Sequence, residues 1–315
     1  KIKIANQTII NMKKIQIILS VLILSIVLIQ CKSNEATVDF KKLTENYFKD
    51  KNVLNPLDAT QNGQNDSNDQ LQFEMTDSYR KTQSDFFDKY TAQLEKVDFE
   101  SLSDEEKNSY DILKWEIEVG QDLLKQNANL TPIHQFWGTH LTMAQFGSAE
   151  SAQPFKTEKN YQNFQKRMEL YSVWMDSAIV YMKKGIEKGV VLPKALTEKV
   201  IPQFQDMVTS KVEDNIFYSS IKVFPASFST QQKEQFTKNY TAIINNKLIP
   251  QFKKITAFLQ TEYLQASRKT SGIGALPGGN DLYKSYLKQW TTTDMSPEEI
   301  HNLGLKEVAR LKSEM

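Results

Sequence analysis

Apolar side chains recur along this chain at alternating intervals of three and four residues, which places them on one face of an α-helix. The longest stripe lies within Glu158 to Glu187: Tyr161, Phe164, Met168, Tyr171, Met175, Ala178, Met182 and Ile186. Gly189 follows as a natural C-terminal cap, and Pro193 suits the first turn of the next helix. A second long stripe is Phe236, Tyr240, Ile244, Leu248, Phe252, Ile255 and Leu259, in which Pro250 is expected to kink or split the helix. Shorter stripes start at Phe40, Leu43 and Tyr47. They continue with Tyr79, Phe86, Phe87, Tyr90, Leu94 and Val97, where Thr76 can cap the helix, and with Tyr110, Leu113 and Ile117. Ser103 with Glu106 reads as a capping box, and so does Ser296-Pro297-Glu298-Glu299. The latter opens a last helix with Ile300, Leu303, Val308, Leu311 and Met315. Gln61 to Gln70 and Gly272 to Asn280 read as loops. No stretch alternates as a strand should. The pattern therefore predicts an all-α array of long amphipathic helices, with the aromatic stripes as core.

The segment ahead of these helices has a different pattern. Met12-Lys13-Lys14 precedes Ile15 to Ile29, a run without charge. A short basic region followed by an apolar run reads as a secretory signal peptide, and the run is shorter than the roughly 20 residues of a spanning helix. It ends at Leu28-Ile29-Gln30-Cys31, which resembles the lipobox of bacterial lipoproteins, although Gln30 departs from the usual small residue there. The resemblance implies acylation of Cys31, and two acyl chains suffice for stable anchoring. The expected organisation is residues 1–11 as upstream read-through, 12–30 as lipoprotein signal peptide, 31–37 as tether and 38–315 as a helical domain incomplete at its C-terminus. The expected location is the bacterial cell envelope, with a membrane as partner through the lipid.

Composition narrows the picture further. Cys31 is the single cysteine, so no internal disulfide forms, and 11 Gly and 9 Pro are few for a turn-rich sandwich or barrel. The net charge is +1, and removing the four lysines of residues 1–30, which hold no acid, leaves −3. A near-neutral chain gives no reason to propose nucleic acid.

The search for chemistry finds little. The three histidines are His134, His140 and His301. The first two are six residues apart, which does not put both on one helix face, and His301 sits beside Glu298 and Glu299 at a helix start. HExxH, GxSxG and phosphate-loop motifs are absent from the sequence. Gly272, Gly274, Gly278 and Gly279 follow a helix rather than a strand, so a nucleotide-loop reading lacks its context. The residues assign no catalytic or metal-binding role.

Several segments resemble the bacterial family catalogued as domain of unknown function 885. They are Ser103 to Leu113 with Trp115-Glu116, Pro154-Phe155 with Tyr161 to Arg167, and Lys184 to Pro193. Leu276-Pro277-Gly278-Gly279 with Tyr283, then Thr291-Thr292-Thr293, Ser296 to His301, Gly304 and Glu307 to Arg310 complete the set, over about residues 40–315. The resemblance implies an all-helical fold related to zinc metallopeptidases, peptides as substrates, and a zinc-binding HExxH motif in a C-terminal half beyond the Thr-Thr segment. No position here matches that motif, so the chain alone is expected to be inactive and to need no cofactor. Its helices would supply one wall of a substrate groove, for which Gly278, Gly279 and Tyr283 are the candidates, since glycine lets backbone approach a ligand. A helix–helix turn with a packed tyrosine explains the same three residues. Two readings follow: the N-terminal part of an envelope peptidase, or a complete non-catalytic helical lipoprotein that binds a partner or substrate.

Overall fold

A computed structural model describes residues 38–315; the leader, Cys31 and the tether lie outside them. The described residues form helices joined by loops, and their only β-type pairing is an isolated bridge between Pro193 and Arg268. The all-α expectation is met. None of the helices is long and apolar enough to cross a membrane.

The helices begin where the sequence caps them. Helices α1 (Phe40–Leu54), α2 (Pro56–Gln61), α3 (Asp77–Leu94) and α4 (Asp104–Leu124) come first. Thr76 accepts the Tyr79 amide at the start of α3, and Ser103 and Glu106 form the reciprocal box at α4. Helices α1, α3 and α4 share a small core of Phe40, Leu43, Tyr47, Phe86, Tyr90, Leu94, Leu113 and Ile117.

The larger core is organised around α6 (Glu158–Lys188), which follows the short α5 (Thr139–Gly147). Its predicted stripe is buried from Tyr161 to Met182 and advances by 3.5 residues on average, alternating three and four. Gly189 ends it in the left-handed conformation, and α7 (Lys194–Gln205) follows directly after Pro193.

The second long stripe behaves differently. Phe236, Tyr240, Ile244, Leu248 and Phe252 are all buried at four-residue steps. In an α-helix four residues advance about 400°, so each step drifts about 40° and four steps would swing the stripe off its face. The chain corrects the drift with two π segments, Ile244–Leu248 and Leu259–Tyr263. These join α8 (Thr230–Ile243), α9 (Ile249–Phe258) and α10 (Leu264–Ala266) into one run over 230–266. Pro250 therefore neither breaks nor splits the helix. It sits just after the first π segment, whose wider turn makes room for the ring and whose 249 amide reaches back to the Ile244 carbonyl.

Helix α6 and the 230–266 run lie parallel. Glu169, Asp176 and Lys183 pair with Lys247, Lys254 and Glu262 at 2.6, 2.6 and 2.8 Å. The spacing is seven and seven on α6, but seven and eight on its partner. The extra residue falls where Leu259–Tyr263 inserts a π turn, so the bulge keeps the two helices in register. These pairs are about half exposed and fix alignment more than they stabilise.

The last helices are α11 (Gly279–Thr291), which lies against α4, and α12 (Pro297–Glu314). Helix α12 has the predicted capping box and no buried residue. Leu303, Val308 and Leu311 of its apolar stripe are each about half exposed.

Candidate ligand-binding region

The groups with perturbed chemistry converge on the segment between α4 and α5. A turn at Ala128–Leu130 leads into residues 131–138, and Gly138 starts α5 at φ 124°, a conformation that suits glycine. From α7, Gln203 grips this loop: its Nε2 donates to the Gln135 carbonyl at 2.9 Å, and its Oε1 lies 3.3 Å from His140 Nε2. His134 stacks on Trp137 with centroids 3.9 Å apart. Phe136 and Trp137 project from the loop, 76% and 66% exposed.

His140 is buried beneath the loop and stacks on Phe204. A cavity of about 160 Å³ opens beside it, walled by Ala144, Tyr171, Phe204, Phe217 and Phe252. Burial pushes His140 down to about 4, against a smaller opposing effect of the Gln203 bond. His134 is also held below its usual value by burial. Both imidazoles are therefore neutral near pH 7, able to accept or donate a hydrogen bond at a ligand but not to offer a charge.

On the other side of the loop Glu74, just ahead of α3, points into the interior. Its oxygens accept hydrogen bonds from Thr139 Oγ1 at 2.7 Å and Trp174 Nε1 at 3.0 Å. Burial raises its carboxyl above the usual range, and those two bonds offset only part of the cost. The site thus holds a buried acid and a buried neutral imidazole on opposite sides of one loop, without an activated nucleophile between them.

The motif segments support this region from below. Gly185 on α6 lets the carbonyls of Leu130 and Val190 approach: a methyl added there would sit 2.9 and 2.6 Å from those oxygens. Both neighbours are backbone, so Gly185→Ala should cost about 1–3 kcal/mol by overpacking, although alanine is normally favoured by about 1 kcal/mol in a helix. A thermal melt at or above wild type would refute this. Past Gly189, the Leu192 amide donates to Tyr263 Oη at 3.0 Å, and Arg268 bonds the backbone of Leu192 and Lys194. A Cβ on Gly189 would come 3.6 Å from Pro277, so the Lys184–Pro193 and Leu276–Gly279 segments, far apart in sequence, are neighbours.

Gly278 lies at φ 70° ahead of α11 with open space around it, and Gly279 is buried against the Ile273 carbonyl. Tyr283 is exposed, while Leu282 is the buried side chain of that turn. These three residues do not line the cavity beside His140. Likewise His301 is exposed on α12. Among the described residues no three His, Cys, Asp or Glu side chains are grouped to hold a metal ion, so zinc has no fitting donor set there. Sequence reasoning missed Glu74, Gln203 and the Trp137 tip. Glu74 leaves a faint signal, as one acid between Phe73 and Met75.

Residues 56–315 match the family described as bacterial protein of unknown function (DUF885). A crystal structure described as "the putative lipoprotein from Colwellia psychrerythraea" has the same fold, with a TM-score of 0.72 at 19% identity. The match covers 87% of this chain and 50% of that one, so this chain spans about half the length of that structure. A comparison with curated proteins gave no match.

Proposed function

Since the chain belongs to the DUF885 family of bacterial proteins of unknown function, we propose that it is the N-terminal helical part of an exported, lipid-anchored envelope peptidase. Its zinc-binding residues would lie in polypeptide beyond residue 315. The observation that carries this reading is α12, an amphipathic helix whose apolar stripe touches no core. In an all-helical fold such a face is made to be covered. The twofold length of the structural neighbour supplies a source for the cover. In this reading a zinc ion held by residues beyond 315 would supply Lewis-acid chemistry, and the described helices would bind and orient substrate.

The experiment compares this chain with a version extended along its reading frame. Zinc content and peptide hydrolysis are measured for both. Zinc at one equivalent with chelator-sensitive turnover is expected only in the longer protein. The same activity in the short chain would overturn the assignment of its histidines, and a longer protein inert towards peptides would overturn the peptidase reading.

Anchoring is tested separately. Cys31→Ala should abolish incorporation of a clickable fatty acid and release the protein from membranes, because Cys31 closes the apolar leader run. Equal labelling of wild type and variant would sink the lipid anchor.

A second reading has its own support: the exposed Phe136–Trp137 tip beside a cavity suits a protein that binds a partner or substrate without catalysis. The activity comparison separates the two.

A further inference from the structure

A second cavity, of about 300 Å³, lies between α3, α4 and the Ala128–Leu130 turn. Its walls are mainly apolar, with Met75, Phe87, Leu123 and Pro132 among them, and two charged side chains, Glu74 and Arg80, interrupt that lining. They do not pair with each other: among the described residues no ion pair reaches Glu74. Its carboxylate accepts from the neutral donors Thr139 and Trp174 and from backbone N–H, and of its roughly four lone-pair sites one stays open to a further donor. Arg80 Nη2 donates to the carbonyls of Leu124 and Gln126 at the end of α4, and its Nε and Nη1 have no such bond there. Asp58 adds to the negative character of the Glu74 end, while Asp77 offsets part of the Arg80 charge at the other.

We propose that this cavity binds a small zwitterion with an apolar side chain, of amino-acid or dipeptide size, its ammonium on Glu74 and its carboxylate on Arg80. A buried carboxyl without a cation is costly, and an ammonium supplies the missing partner. Nε and Nη1 of Arg80 each keep a free donor on separate edges of the guanidinium, so a carboxylate takes one charge-assisted hydrogen bond there and not a bidentate fork. The apolar walls take the side chain, and the volume is at the lower end of ligand sites. Both charged groups also have structural work: Arg80 caps α4, and Glu74 ties α5 to α6. That work alone would predict no ligand. The proposal is independent of the peptidase reading and of the lipid anchor.

The test is calorimetric titration and thermal shift of the whole chain with leucine, phenylalanine and dileucine. N-acetyl-leucine, which lacks the ammonium, and leucinamide, which lacks the carboxylate, serve as blocked analogues. Saturable binding of at least one zwitterion is expected, with about thirtyfold or more lost in either blocked analogue of the preferred side chain. Glu74→Gln should weaken leucine and leucinamide but not N-acetyl-leucine. Arg80→Met should weaken leucine and N-acetyl-leucine but not leucinamide. No saturable binding of any zwitterion at millimolar concentration, or equal binding of the blocked analogues, would overturn the proposal. The wild-type analogue series decides it even if a variant fails to fold.

Discussion

Replacing Arg167 with leucine should remove about 4 kcal/mol or more of stability, enough to leave much of the protein unfolded. Arg167 is fully buried in α6, and burial pulls its guanidinium down to about 9, with Asp69 only partly compensating. It is held by neutral acceptors instead of a carboxylate: the carbonyls of Pro56, Ser67 and Gln70, Thr60 Oγ1 and Gln153 Oε1, at 2.6 to 3.2 Å. One planar group thus closes α2 and the polar 62–70 loop onto the main core. Leucine would leave the Gln70 carbonyl, Thr60 Oγ1 and Gln153 Oε1 without this donor, each costing about 1–3 kcal/mol, while the Pro56 and Ser67 carbonyls keep Thr60 Oγ1 and the Gln70 amide. Lysine should fail nearly as badly, since a rounded ammonium with three donors cannot span five acceptors that a flat fork reaches. Urea unfolding of both variants, with limited proteolysis around residues 62–70, checks this. A Leu variant within about 1 kcal/mol of wild type would refute the clamp.

The second large effect is on pH dependence. An unfolded histidine titrates near 6.5, whereas buried His140 in the folded protein titrates at about 4. Between those values the unfolded chain binds a proton that the folded one refuses, so stability rises with pH across that window. His140 should therefore contribute about 3 kcal/mol that is complete above pH 6.5 and lost as the pH falls towards 4. Glu74 acts in the opposite sense. Its folded value is raised, so its stabilising share is full below the ordinary carboxylate value and is lost as the pH rises through the folded one. Wild-type stability alone mixes the two. The difference between wild type and His140→Gln isolates the histidine and should shrink as the pH falls from 6.5 to 4. A difference that stays constant over that window would show that His140 is not held neutral by the fold.

Much of this architecture is legible in the sequence, because helix formation is a local matter. The alternating stripe from Tyr161 to Met182 sets the buried face of α6, and Thr76, Ser103-Glu106, Gly189 and Ser296-Glu299 set helix ends within a few residues of themselves. Even the first π segment is written there, in the consecutive four-residue steps from Phe236 to Phe252. An expectation drawn from Pro250 alone passes over the spacing that makes room for it.

The candidate region is another matter, because its chemistry depends on contacts between residues far apart along the chain. His140 meets Gln203 across 63 positions, Glu74 meets Trp174 across 100, and Arg167 reaches Pro56 across 111. Beyond the apolar neighbours of Glu74, Phe73 and Met75, nothing local distinguishes these side chains from the many exposed polar residues of the same types. Only packing removes them from water, and that removal shifts their protonation and fixes their partners. Helix α12 shows the same division. Its apolar spacing, like that of α6, determines that one face seeks cover. The tertiary structure alone decides that α6 finds this cover within residues 38–315 while α12 does not, because burial depends on what surrounds a helix and not on its own period.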